Sequence, residues 1–284
     1  AGATGVFGRL ISLSELPLVW YRMMIAAGVL AGVLALGGRI HTPTLREAWR
    51  MGCCGALLAV HWVLFYGSIK AANVSVGVVC FALNGFFTAL LEPMASGKRF
   101  SLRDLLLGLI TLGGIVLIFG LNMQFRTGIV IGTFSSLFYT LFAIVSKRVQ
   151  SATGVESSAM LLYELLTGWC VLSLAMPFYA MLYPSVSLMP EGSDWLFITL
   201  FASVFTIGPF LTQLQALRTL SAFTVNLSYN LEPLYSIALA MLLFNEAQEL
   251  NLSFWMGVSM IVAAVGYHAV CGKRSVFVKP DEQR

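Results

Sequence analysis

The sequence predicts an all-α membrane protein, a ten-transmembrane-helix bundle of two inverted five-helix repeats with the first helix truncated at its N-terminus. Three observations lead there. Of 284 residues, 58% are hydrophobic and only 11% charged, whereas soluble domains carry roughly 25% charged residues. Apolar runs of about 20 residues, enough to cross a hydrocarbon core, recur along the chain. Lys and Arg are concentrated in alternate connections between those runs. So low a charge density cannot cover the surface of a water-soluble enzyme, and disorder requires the opposite composition.

Nine runs cover residues 16–36, 48–69, 74–95, 102–121, 128–149, 158–182, 195–216, 222–244 and 252–271. The segment before them, Ala1 to Ile11, is apolar and Gly-rich but too short to cross. A signal peptide would carry its basic residues ahead of the apolar core, whereas here Arg9 follows it. The simpler reading is the end of a spanning helix, which makes ten. The longest connection follows Leu182 and contains Pro184, Pro190, Glu191 and Asp194; none is long enough for a separate soluble module.

The connections after the second, fourth, sixth and eighth spans, with the C-terminal tail, hold Arg39, Arg46, Arg50, Lys98, Arg99, Arg103, Lys147, Arg148, Arg218, Lys273, Arg274, Lys279 and Arg284. The opposite side holds Arg9, Lys70 and Arg126. By the positive-inside rule both termini are cytoplasmic, in a cell membrane of the bacterial inner-membrane kind. The net charge of +4 reflects this topology; no concentrated basic stripe suggests nucleic acid. Cys53, Cys54, Cys80, Cys170 and Cys271 sit in or beside apolar runs with no C-x-x-C and no paired His. They read as small buried hydrophobes rather than metal ligands or disulfides.

The chain also looks duplicated, as residues 1–121 and 126–271 followed by a tail, 272–284. Lys70 ends a span before Val74 as Arg218 does before Ala222; Lys98-Arg99 and Glu246-Ala247 break the chain at matching places; Gly108 matches Gly257; and Trp20-Tyr21-Arg22 matches Leu162-Tyr163-Glu164. Five spans per half force the second copy to enter the membrane in the opposite sense, a plan in which solutes bind near the midplane between the repeats.

Three segments carry a family resemblance. Leu16-Pro17-Leu18-Val19-Trp20-Tyr21-Arg22, followed by a small-residue helix, resembles the second span of the EamA-type transporters of the drug/metabolite transporter superfamily. Tyr229-Asn230-Leu231-Glu232-Pro233-Leu234, running to Asn245-Glu246, is similar to that family's Glu-Pro span, and Ala3-Thr4-Gly5-Val6-Phe7-Gly8-Arg9 to the end of its first span. The resemblance covers essentially the whole chain. It implies a metabolite or amino-acid exporter with spans five and ten at the periphery. The chain departs from the family pattern at Asn84-Gly85 and Gly97-Lys98, where a Pro and a Gly-Glu are usual, and at Asn245.

Ionisable residues at membrane depth cost about 2.5–3.5 kcal/mol each on the insertion scale and tend to mark pathways. Glu232 is central in its span, and Pro233 frees the carbonyl four residues earlier, on Tyr229. With Asn226 and Asn230 it forms either a substrate or proton site or an interhelical tie. In the fourth span Asn73, Gly77, Phe81, Asn84 and Thr88 recur at three- or four-residue intervals, as a cavity wall or a packing face. His61-Trp62, then Phe65-Tyr66, follow in the third span, where His61 is either a cavity group or a bundle hydrogen bond. Arg22 and Glu164 occupy matching places as coupling or electrostatic groups. The guanidinium of Arg22 suits a carboxylate, while its place near a span end suits snorkelling to headgroups. Glu92 lies nearer an end. Thr206, Pro209 and Gln213 share a face, and Gly208-Pro209 reads as a bend, gating or static. Gly28 and Gly32 form a G-x-x-x-G expected to serve close packing within the chain rather than dimerisation.

The expectation is therefore a secondary transporter moving a small polar solute out of the cell, monomeric or weakly dimeric, with no cofactor. No G-x-x-x-x-G-K-[ST] for ATP occurs. The rivals are an intramembrane enzyme and a receptor or scaffold. The sequence lacks the G-x-S-x-G and H-E-x-x-H of hydrolases and any sizeable soluble module, so it is not expected to be an enzyme.

Overall fold

The computed structural model describes residues 4–38, 40–97, 100–119, 125–229, 232–244 and 252–271. Among these the regular structure is helical: α1 (Thr4–Leu10), α2 (Glu15–Leu36), α3 (Leu45–Ala71), α4 (Val74–Phe81), α5 (Leu83–Ser96), α6 (Leu102–Phe119), α7 (Arg126–Thr153), α8 (Ser157–Leu182), α9 (Asp194–Ala202), a π-turn (Ser203–Ile207), α10 (Gly208–Thr219), α11 (Ala222–Tyr229), α12 (Glu232–Phe244) and α13 (Leu252–Cys271). The helices coincide with the apolar runs, because no other backbone form satisfies its own polar groups inside lipid. Among the described residues, six stretches are long and apolar enough to cross a membrane: 15–36, 45–71, 74–96, 126–153, 157–182 and 194–219. α1 has seven residues and is too short to cross, while α6, α12 and α13 border residues outside the description.

Local chemistry sets several boundaries. Thr44 and Glu47 form a reciprocal capping box at the start of α3, and Asn73 caps α4 through Val76 N–H (2.8 Å). Left-handed Gly97 and Gly154 end α5 and α7, a conformation that glycine adopts without steric cost. Ala82 separates α4 from α5. Between α9 and α10 the backbone widens into the π-turn, where the Thr206 hydroxyl donates to the Phe201 carbonyl five residues earlier (2.9 Å).

Helices that match between the two halves of the sequence cross one another antiparallel. In α2 and α8, Tyr179 donates to Glu15 (3.0 Å), Trp20 to Ser173 (2.8 Å), and Met23 packs on Gly168. α12 packs on α4 and α11 on α5. In α6 and α13, Arg103 lies over Tyr267 while Gly114 abuts Gly257; both helices expose large apolar side chains such as Leu106, Ile110, Trp255 and Met256. α3 and α7 form the central interface, closed by His61 with Ser135 and Ser68 with Gly128.

Close approach relies on other glycines than Gly28 and Gly32. Those two are exposed, with nothing within 4 Å of where a Cβ would stand, so the expectation that they pack the chain internally is corrected. They occupy the outward face of α2. The tight contacts are at Gly55, whose Cβ would meet the Glu164 carbonyl at 2.3 Å, and at Gly128, where Ala72 stands at 2.5 Å. The cysteines divide as well: Cys54 and Cys80 are buried, Cys53 and Cys170 are exposed, and the Cys271 side chain lies outside the description. Gly55→Val is expected to destabilise the protein by about 1–3 kcal/mol through overpacking against backbone. Gly28→Ala should be neutral or stabilising by up to about 1 kcal/mol; thermal unfolding of both variants in detergent checks the contrast.

Candidate functional site

Third-span aromatics, the second-span arginine and the broken helices converge on one internal cavity. Arg22, His61, Trp62, Phe65, Tyr66, Phe81, Tyr139, Phe205, Pro209, Phe210, Tyr229, Glu232 and Thr4 line it. The space is tight. About 40 Å³ is open to the centre of a water molecule, room for roughly three waters at ~10–15 Å³ each.

Arg22 is 1% exposed, which corrects the expectation that its side chain snorkels to the headgroups. The helix end that suggested snorkelling is covered by α3 and α9. Its Nε donates to Thr206 Oγ1 (2.8 Å) and its Nη1 to the Tyr66 hydroxyl (2.7 Å). The guanidinium lies 3.7 Å from the Trp62 ring centroid and 4.1 Å from that of Phe201, within the range of a cation–π contact. Among the described residues these bonds engage Nε and Nη1, and Nη2 remains for an oxygen in the cavity.

Glu232 opens α12 and is also buried, and its Oε1 accepts from the Thr4 hydroxyl (2.7 Å). The cavity is therefore lined by a cation on α2 and a carboxylate on α12, together with aromatic rings. His61 forms part of that wall. Its Nδ1 lies 3.0 Å from the Ser135 carbonyl, which can only accept, so Nδ1 carries the proton and Nε2 is the acceptor. The ring packs against Phe65, Phe81 and Tyr139 at centroid distances of 6.0, 5.4 and 4.9 Å. Phe81 and Tyr229, at matching positions of the two halves, meet at 6.2 Å. Such an arrangement presents opposite charges beside aromatic walls.

Of the residues singled out in the sequence, the cavity brings together Arg22, His61, Trp62, Phe81, Pro209, Tyr229 and Glu232. Gln213 stands behind this wall, accepting from the Tyr229 hydroxyl (3.2 Å). Asn84 and Asn226 are fully buried outside it. Asn226 donates to Thr88 (2.8 Å), and the Asn84 carbonyl accepts from Thr88 and Thr140. The expected stripe of Asn73, Gly77, Phe81, Asn84 and Thr88 therefore does not form one cavity wall. Of these five, only Phe81 reaches the space. Glu164 is buried elsewhere, between α3, α7 and α8, accepting from Ser146 (2.9 Å). Gly208 precedes Pro209 at the π-turn. Asn230 and the Pro233 side chain lie outside the described residues.

Sequence reasoning did not select Thr4, Tyr139, Phe205 or Phe210. Phe65 and Tyr66 had a signal, standing four residues after His61 and Trp62. Tyr139 had none, because an aromatic in an apolar helix does not reveal which face it occupies.

The model of the EamA-like transporter family matches residues 1–120 and again 126–267. No curated protein matches the chain at a significant level. A solved crystal structure 17% identical to it superposes with a TM-score of 0.66 over 93% of this chain and 90% of the other, which is a likeness of fold. With two family matches that together take in nearly all of the sequence, the chain is a member of the EamA-like transporter family, whose members are membrane transporters of the drug/metabolite superfamily.

Proposed function

We propose that the protein is a ten-span secondary transporter that moves a small zwitterionic solute, such as an amino acid, out of the cell by alternating access. The observation that carries this is the pairing of Arg22 and Glu232 in one aromatic-walled cavity. A guanidinium recognises a carboxylate through paired N–H donors, and a carboxylate among rings suits an ammonium. Solutes without both charges leave one buried ion unanswered, at a cost that favours the zwitterion.

Two inverted repeats, 1–121 and 126–271, are supported by the antiparallel crossing of matching helices and by the double family match. Cytoplasmic termini in a bacterial inner membrane follow from the Lys and Arg count, and outward movement from the family resemblance. Hydrogen bonds tie segments together at both ends, which supports a closed form. At one end Asp194 accepts from Ser12 N–H (3.2 Å) and Lys70 donates to the Ile11 carbonyl (3.2 Å). At the other, Arg218 donates to the Val155 carbonyl and Lys147 to that of Leu220 (2.7 Å). The contracted cavity suits an intermediate between two open forms. The π-turn and Pro209 supply a hinge in the third span of the second half. Glu232 is the group for proton coupling, since one carboxylate can hold either a proton or a solute ammonium; Glu164 is a second such group, outside the cavity.

Proteoliposomes containing the purified protein should show saturable flux and counterflow for one or more amino acids from a panel that includes nucleosides, with and without a pH gradient. Flux of no solute from folded protein would overturn the reading. Arg22→Lys should raise the apparent KM about ten- to a hundredfold, since the loss of charge-assisted hydrogen bonds costs about 1.5–3 kcal/mol. Glu232→Gln should weaken solute binding at least about tenfold and flatten the pH dependence of flux; an unchanged pH profile with transport intact would remove Glu232 from coupling.

A further inference from the structure

Beneath the cavity, α5, α7 and α11 enclose a seam of polar groups that the cavity does not use. On α5, Asn84, Thr88 and Glu92 follow at four-residue intervals and therefore share one helical face. Asn226 of α11 reaches across to Thr88, and Thr140 of α7 donates to the Asn84 carbonyl (3.2 Å). Both side-chain polar atoms of Asn84 and the Oδ1 of Asn226 are buried without a hydrogen-bond partner among the described residues. Buried polar groups are almost always satisfied, so these three unpaired atoms, clustered in one seam, can take a partner that enters it; others, such as the Tyr139 hydroxyl and Trp169 Nε1, lie elsewhere in the bundle.

The seam has two ends. At the inner end, Phe81 and Tyr229 line the cavity, three residues along the chain from Asn84 and Asn226 respectively. At the outer end lies a pocket of about 350 Å³ bordered by Glu92, Ser96, Lys147, Arg148, Ser151 and Ala222. Between seam and pocket, Glu92 accepts from the first two N–H groups of α11, those of Ala222 (3.1 Å) and Phe223 (2.8 Å). Lys147 stands 3.7 Å from Glu92. Ala89, Phe223 and Leu227 pack together beside it. A carboxylate of the first half thus caps a helix of the second where the two must part for the seam to open.

We propose that this seam is the closed solute route from the cavity to the Lys/Arg-rich end of the protein, with Asn84, Thr88 and Asn226 as its polar lining and Glu92 as its latch. The inference rests on the transporter reading above and adds the path and its closure. When α5 and α11 separate, the seam amides face the passing solute and its water, and the N–H groups of α11 are released from Glu92.

The test places a thiol in the seam, Thr88→Cys, in a background with Cys53 and Cys170 replaced by serine, and reads its reaction with a membrane-impermeant maleimide applied to either face of proteoliposomes. Adding Glu92→Ala should raise labelling from the Lys/Arg-rich face about tenfold and leave the opposite face unchanged. Lys147→Met, which loosens the same latch, should act in the same direction and serves if Glu92→Ala does not fold. No increase with either variant, or an increase from the opposite face, would overturn the route. Amino-acid counterflow in the parent proteoliposomes reads the transporter function separately. Flux without the labelling change sinks the route alone, and absent flux sinks the transporter reading while labelling still decides whether the seam opens.

Discussion

Arg22 brings a full positive charge into a mostly apolar helix and is buried, and the protein interior has to replace the hydration that the charge gives up. A buried ion left without partners costs several kcal/mol even after relaxation, so its surroundings are constrained more tightly than those of any apolar side chain nearby. Tyr66 and Thr206 supply oxygen lone pairs, Trp62 and Phe201 supply ring faces, and Glu232 lines the same cavity. They come from three separate places in the sequence: α3, the end of α9 with the π-turn, and α12. α3, the π-turn and α12 are therefore positioned about one guanidinium, and the electrostatic asymmetry of the cavity follows from it.

The same constraint accounts for where the backbone departs from regular helix. Inside a bilayer, freed carbonyl and N–H groups are tolerated where they are buried in protein or face a cavity. Ala82 is buried in protein, and at Ser203–Ile207 Thr206 faces the interior while Val204 lies on the outer face. At the π-turn the Thr206 hydroxyl does two things at once, donating to the Phe201 carbonyl and accepting from Arg22. π-turns within helices recur at functional sites, and this one ties a local backbone irregularity to the charge on a neighbouring helix. α3, the matching helix of the first half, is continuous, so the two halves share a plan without sharing their mechanics.

Between helices, lipid gives no hydrophobic reward for association, and packing depends on small residues and hydrogen bonds. The central α3–α7–α8 interface uses both: Gly55 against the Glu164 backbone, Ser68 against Gly128, and His61 against Ser135. The Gly28/Gly32 motif satisfies the sequence rule for such contact yet faces outward. A small-residue pattern states that a helix can be approached closely, and leaves open by what.

Apolar run length and the spacing of breaks were enough to outline the helices, because burial of backbone in lipid is a one-dimensional requirement that each segment meets alone. Arg22, Glu232, His61 and Phe81 were legible for the same reason: a polar or bulky group in an apolar run is conspicuous without knowing its neighbours. Tyr139, Phe205 and Thr4, and the retreat of Asn84, Asn226 and Gln213 behind the wall, depended on which way each helix is rotated. Rotation is set by contacts between segments far apart in the chain, such as Arg22 with Thr206 and Thr4 with Glu232. Those energies belong to pairs of helices, and only the assembled bundle contains them.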